Sequence, residues 1–224
     1  WLFDAVAPTT TPTATSNGAY TFNTWTNSAV SVTLTCADNA GGTGCSTTYY
    51  CTDTANSCTP TTTYSTPITI STEGTSYIRY YSTDTVPNTE TTASQTIKID
   101  TTPPVLSAGS PAGALTIDIN STTLSLTTSE NATCKYSTSS GASYSSMPST
   151  FETTGTTSHS QSLSGLSLGN NYNYYIKCQD SYGNPTTSDY TISFSTSSSG
   201  GPVFAPSQSA SSPNPKSETN FITQ

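Results

Sequence analysis

Three sets of residues in this chain have types and spacings that could support chemistry. The first is six cysteines, Cys36, Cys45, Cys51, Cys58, Cys134 and Cys178. Zinc would call for closer pairs, C-x2–4-C, with a histidine or second pair nearby. The spacings here are wider, and the only histidine, His159, lies far along the chain. The expected chemistry is therefore oxidation to structural disulfides, and no metal is expected at the thiols.

The second set is a carboxylate and an amide at a repeated spacing. Asp84 and Asn88 in DTVPN recur as Asp180 and Asn184 in DSYGN, 96 residues later. Oxygen-rich loops of this kind could contribute ligands to calcium, which takes six to eight oxygens. The expected reading is an Asx turn, in which the aspartate bonds its own backbone and fixes a hairpin without any ion.

The third set is two sequons, Asn120-Ser121-Thr122 and Asn131-Ala132-Thr133, which accept N-linked sugar where the host has that machinery. No catalytic constellation is visible. A hydrolase needs a nucleophile, a base and an orienting group. With one histidine, no G-x-S-x-G and no glycine-rich phosphate loop, the chain is expected to be neither an enzyme nor a cofactor binder.

The elements that must carry these residues are strands. Tyr, Thr, Val and Ile are plentiful, and these side chains fit a pleated, half-buried surface. The chain has one Met and only 8% charged residues, so helix formers are scarce. It carries 5 Lys and Arg against 13 Asp and Glu, a net charge of −8, which leaves no basic footprint for nucleic acid or an anionic membrane. No apolar run is long enough to span a bilayer.

A second mark shares the offset. Asp4 and Pro8 in DAVAP match Asp100 and Pro104 in DTTPP, again 96 residues on. That is the length of one small domain, so the chain reads as a tandem array. Residues 1–7 are expected to be the end of a preceding element or an N-terminal extension, and residues 8–102 a first sandwich. Residues 103–196 make a second. Residues 197–224, rich in Ser, Gly and Pro, form a tail that cannot build a core. A tail of that composition is ordered only when docked, so order in it would point to an assembly.

Alternation predicts strands at Ala19–Asn23, Val30–Cys36, Thr47–Thr52, Pro67–Ile70, Tyr77–Thr83 and Thr92–Ile99 in the first unit. In the second it predicts Leu115–Ile119, Thr123–Thr127, Ala132–Ser137, Ser158–Leu163, Asn171–Gln179 and Tyr190–Ser195. Thr101-Thr102-Pro103-Pro104 between them is an extended, stiff linker, because the residue before each proline is driven out of the helical region.

Strand parity places Tyr172, Tyr174, Ile176 and Cys178 on one face, so Cys178 points inward, as does Cys134. Their cross-strand bond would close a loop of 44 residues, which chain entropy values at about 4 kcal/mol. In the first unit 36–45 and 51–58 are the preferred pairs among the three pairings that four cysteines permit, because each flanks a Gly- or Asn-containing turn. Each is valued at about 2.5 kcal/mol. The adjacent tyrosines Tyr49-Tyr50, Tyr80-Tyr81 and Tyr174-Tyr175 must each send one ring outward, toward sheet packing, a sugar ring or a neighbouring protomer.

The segment from Val32 to Pro60, followed by Tyr64-Ser65-Thr66-Pro67-Ile68 and Gly74–Asp84, resembles the bacterial Ig-like repeats of the chitobiase C-terminal and OmpL-type surface class. Cys134-Lys135-Tyr136-Ser137 and Tyr174–Asn184 are similar to fibronectin type III-like domains of large bacterial surface proteins. The first unit departs from its pattern by its two short cysteine loops. The resemblance implies an extracellular or cell-surface array module, a stalk, adhesin or filament subunit, whose partner is another copy or a neighbouring surface protein. A carbohydrate-binding or spacer module of a secreted glycosidase, with glycans as partner, is the alternative.

Overall fold

The structure is a computed structural model that describes residues 4–116 and 120–197. In the first unit the strands are β1 (Thr9–Thr15), β2 (Trp25–Thr26), β3 (Val30–Ala37), β4 (Cys45–Asp53), β5 (Thr62–Thr63), β6 (Ile68–Ile70), β7 (Gly74–Asp84) and β8 (Ala93–Ile99). They form a three-stranded sheet, β1-β3-β6, and a five-stranded sheet, β2-β8-β7-β4-β5. In the second they are β9 (Leu106–Ser110), β10 (Gly113–Ala114), β11 (Ser121–Thr128), β12 (Ala132–Ser137), β13 (Ser149–Thr150), β14 (Ser158–Ser164), β15 (Asn171–Asp180) and β16 (Tyr190–Ser195). Their sheets, β14-β11-β9 and β10-β16-β15-β12-β13, repeat the three-plus-five arrangement. Each unit opens its larger sheet with a two-residue strand lying parallel to its last strand.

Alternation builds both cores. Along β7 every second residue from Ser76 to Asp84 is buried, and Ile78 and Tyr80 pack with Val30, Val32, Leu34, Ile70, Ile97 and Ile99. In the second unit Tyr174, Ile176 and Cys178 of β15 face inward with Leu124, Leu126, Phe151, Ile192 and Phe194. Cys134 and Cys178 are direct cross-strand partners within one sheet.

Three sequence expectations are corrected. Residues 19–23 are a turn region, because Asn17, Gly18 and Asn23 adopt left-handed φ of 51°, 137° and 66°, which an extended strand cannot contain. The first strand is instead β1, which pairs with β3 from Thr9↔Ala37 to Thr15↔Ser31 and contains Pro12. A proline reads as a strand breaker, yet it is tolerated here because β1 is the sheet edge.

Likewise Leu106–Ser110, inside the stretch after the Pro-Pro linker, is a strand. Gly109 lets it pass under Tyr190: a Cβ at that position would meet the ring at 2.7 Å, and the Tyr190 hydroxyl accepts the Gly109 N–H at 2.9 Å. The expected strand Leu115–Ile119 is replaced by Gly113–Ala114, and residues 117–119 lie outside the described residues. So do residues 1–3 and the tail from residue 198.

Candidate functional site at the repeated junction

The turn from β7 to β8 begins with Asp84, which strand parity buries to 3% exposure. Its Oδ1 accepts the N–H of Val86 at 2.9 Å and of Asn88 at 2.8 Å, and its Oδ2 accepts the Asn88 side-chain amide at 2.6 Å. This is an Asx turn. The same Asn88 amide also donates to the Asp4 backbone carbonyl at 3.2 Å. In the second unit Asp180 takes the N–H of Tyr182 and Asn184 at 2.9 and 2.8 Å and the Asn184 amide at 2.7 Å. The Asn184 amide then donates to the Asp100 carbonyl at 2.8 Å.

The two sequence marks therefore meet in space. Each Asp-x3-Asn turn grips the aspartate through which the chain enters its own unit. Only the Asp100 site has a described domain on its other side, and there the contact continues. Trp25 and Tyr182 lie with ring centroids 5.5 Å apart at 34°. The Asn27 amide donates to the Gly183 carbonyl at 3.3 Å. Glu73 accepts the N–H and hydroxyl of Thr101, and the Asp100 N–H reaches the Thr26 carbonyl at 2.9 Å, so the linker is tied down on the first unit's side as well. Sequence reasoning missed Trp25, Asn27 and Glu73. No periodicity marks them, because their partners lie in the other unit or in the linker.

Carboxylates crowd both sites. One oxygen from each of Asp4, Asp38 and Asp84 lies within 4.8 Å of the others, and Asp100, Glu130 and Asp180 form the matching triad. Among the described residues these are the groupings that could hold a cation. In the first triad the oxygens already accept donors. Asp4 takes Thr43 and Val6, Asp38 takes Asn39 and Gly44, and Asp84 takes its own turn.

The electrostatics diverge accordingly. The Thr43 backbone N–H, with that of Val6, holds the Asp4 carboxyl below its ordinary range. Burial pushes Asp100 up, and the nearby charges of Asp180 and Glu73 add to the effect. Burial, then the charges of Asp100, Asp180 and Glu73, likewise raises Glu130. The Asx turn accounts for the bonding of Asp84, Asn88, Asp180 and Asn184 without an ion.

The cysteines pair as Cys36–Cys45, Cys51–Cys58 and Cys134–Cys178, with Cα separations of 6.3, 6.2 and 4.0 Å. The first two clip loops at the ends of β4. The third lies in the core at 0% exposure. Asn120 and Asn131 are both exposed, Asn120 just before β11 and Asn131 in the β11–β12 turn. Tyr50, Tyr80 and Tyr174 pack inward, while Tyr49 and Tyr81 stack across β4 and β7 on the outer face, centroids 5.2 Å apart. His159 is a core residue at 2% exposure. Its ring nitrogens bond Thr128 and Thr154 at 2.9 Å each, and burial lowers its pKa.

The strand pairings decide the architecture. The chain is a tandem of two β-sandwiches, each pairing a three-stranded sheet with a five-stranded one.

No protein-family model matches the chain, and no curated protein matches it. Solved structures similar to it include the fibronectin(III)-like modules of Clostridium thermocellum CbhA, at TM-score 0.35 and 10% identity, covering 77% of this chain and 87% of that one. The D00-D0 domain of intimin matches at 0.38 and 11%, covering 82% and 99%. The three N-terminal domains of the bacteriophage RB49 highly immunogenic outer capsid protein match at 0.45 and 11%, covering 85% and 70%.

Proposed function

We propose that this chain is a non-enzymatic structural segment of an extracellular or cell-surface stalk, adhesin or filament, built to hold successive β-sandwiches in a set relation. The observation that carries the reading is the doubled junction. The Asp-x3-Asn turn spends its amide on the incoming backbone in both units, and at Asp100 a hydrogen-bonded linker and an aromatic contact join it. A cluster of that kind limits hinge motion. Three disulfides support an oxidising compartment. The partner under this reading is a further copy or a neighbouring surface protein.

Backbone 15N relaxation on the chain tests it. The expected result is one anisotropic tumbling tensor for both sandwiches; two independent correlation times would sink the stalk reading. Thiol trapping of protein taken from its own cells should find all six cysteines oxidised, and free thiols would remove the extracellular assignment.

The second reading, a carbohydrate-binding or spacer module of a secreted glycosidase, has one observation in its favour. Tyr49 and Tyr81 form an outward aromatic pair beside Arg79, which donates to the Cys58 carbonyl at 2.8 Å. Sugar rings stack on such faces. A glycan array that returns a binder lost in Tyr81→Ala would favour it over the stalk.

A further inference from the structure

The Asp180–Asn184 turn is held from two directions. Its asparagine reaches the Asp100 carbonyl, and its tip, Tyr182-Gly183, meets Trp25 and Asn27 of the preceding unit. The Asp84–Asn88 turn has the first of these contacts and lacks the second among the described residues. Val86 stands where Tyr182 does in the repeat and Pro87 where Gly183 does, and Val86 is 41% exposed. Because Asn88 grips Asp4 as Asn184 grips Asp100, the chain enters the first unit beside the Val86 tip, just as it enters the second beside Tyr182.

We infer that the Thr85–Pro87 tip is a docking point for a β-sandwich that precedes this one in the same polypeptide and lays an aromatic ring on Val86, as Trp25 lies on Tyr182. This deepens the stalk reading and rests on it. One feature chooses that occupant over a free second copy. The contact at the described junction is thin: one ring pair and one amide–carbonyl bond at the tip, with Trp25 39% and Tyr182 38% exposed. A contact that small forms only when a short covalent link supplies the effective concentration.

The test replaces residues 1–3 of the chain with a second copy of residues 4–99, joining Ile99 of the added copy to Asp4 so that the native spacing to the next turn is repeated. The Val86 methyl proton signals are expected to move upfield in the extended chain, under the ring current of the added copy's tryptophan. They should return when that tryptophan is changed by Trp25→Ala in the added copy alone. The Tyr182 ring signals of the unextended chain, with and without Trp25→Ala, serve as the reference.

If Tyr182 responds and Val86 does not, the inference is wrong while the stalk reading survives. If neither responds, both fall. Concentration-dependent Val86 shifts in the unextended chain would replace the covalent neighbour with a free second copy and overturn the proposal. A second variant, Val86→Asp, is expected to lower the melting temperature of the extended chain and leave that of the unextended chain in place; equal effects on both would count against docking.

Discussion

The two sandwiches share an architecture and hold it together differently. The first keeps its disulfides at the ends of β4, clipping loops, and joins its sheets with a core of aliphatic residues around Tyr80 and a polar bridge. That bridge is Glu90, which accepts the N–H and hydroxyl of Thr10 on β1 at 2.8 and 2.6 Å and the N–H of Ser82 on β7 at 3.0 Å. The second places its disulfide inside, between neighbouring strands of one sheet, and surrounds it with aromatic pairs such as Tyr174–Phe194 and with His159. It also buries an ion pair, Lys177 with Asp189 at 3.5 Å, on the opposite face of β15. Sheet topology is therefore compatible with very different stabilising chemistry, provided each inward position is filled.

The largest expected effect contrasts the disulfides. Replacing Cys134 and Cys178 by Ala should lower the stability of the second unit by about 4 kcal/mol through loop entropy, and more through the cavity. The same replacement at Cys36 and Cys45 should cost the first unit about 2.5 kcal/mol. Calorimetry of the two transitions reads both numbers, and equal losses would erase the distinction between an inner and an outer staple.

Glu90→Ala comes next. It strips charge-assisted bonds from Thr10 and Ser82 and should cost the first unit about 2–3 kcal/mol. Hydrogen exchange should rise first in β1, the edge strand. Uniform loosening of the whole sandwich would mean Glu90 is no selective latch.

At the junction, Trp25→Ala and Tyr182→Ala should each weaken coupling by about 1 kcal/mol. In a double-mutant cycle the two losses should fail to add, and additive losses would show that the rings do not act as a pair.

The last effect is small at neutral pH and grows with acid. Burial lowers the pKa of His159 in the folded state, so the unfolded chain binds the proton first. The contribution is intact above the unfolded value of about 6.5 and is lost as pH falls through that value toward the folded one. The first unit has no histidine. Between pH 7 and pH 5 the second transition should therefore fall while the first holds, and His159→Gln should remove the difference. A fall in both transitions would place the titration elsewhere.

The strands with clean alternation were legible in the sequence. Val30, Val32 and Leu34 alternate with Ser31 and Thr33, and the tyrosine-rich β7 and β15 bury every second residue for most of their length. The strands that were not legible carry small or breaking residues, Pro12 in β1 and Gly109 in β9. Both lie at sheet edges, where pairing on one side only relaxes the demand for side-chain type. Lys177 reads as an outward, wetted residue by parity, and it is outward. It is nevertheless buried, because the segment carrying Thr187 and Asp189 folds over it and supplies a carbonyl at 2.7 Å.

By itself the sequence determined the class of fold, the all-β periodicity, the spacing of the units and the residue types at each turn, since these follow from local sterics and a two-residue repeat. Only the tertiary structure decided that the two repeated marks are one site. Asp4 and Asn88, like Asp100 and Asn184, are 84 residues apart in the chain and come together because the last hairpin of each sandwich folds back beside its point of entry. A hydrogen bond between a side chain and a backbone carbonyl at that distance leaves no periodicity in the sequence. It exists only once both sheets have closed.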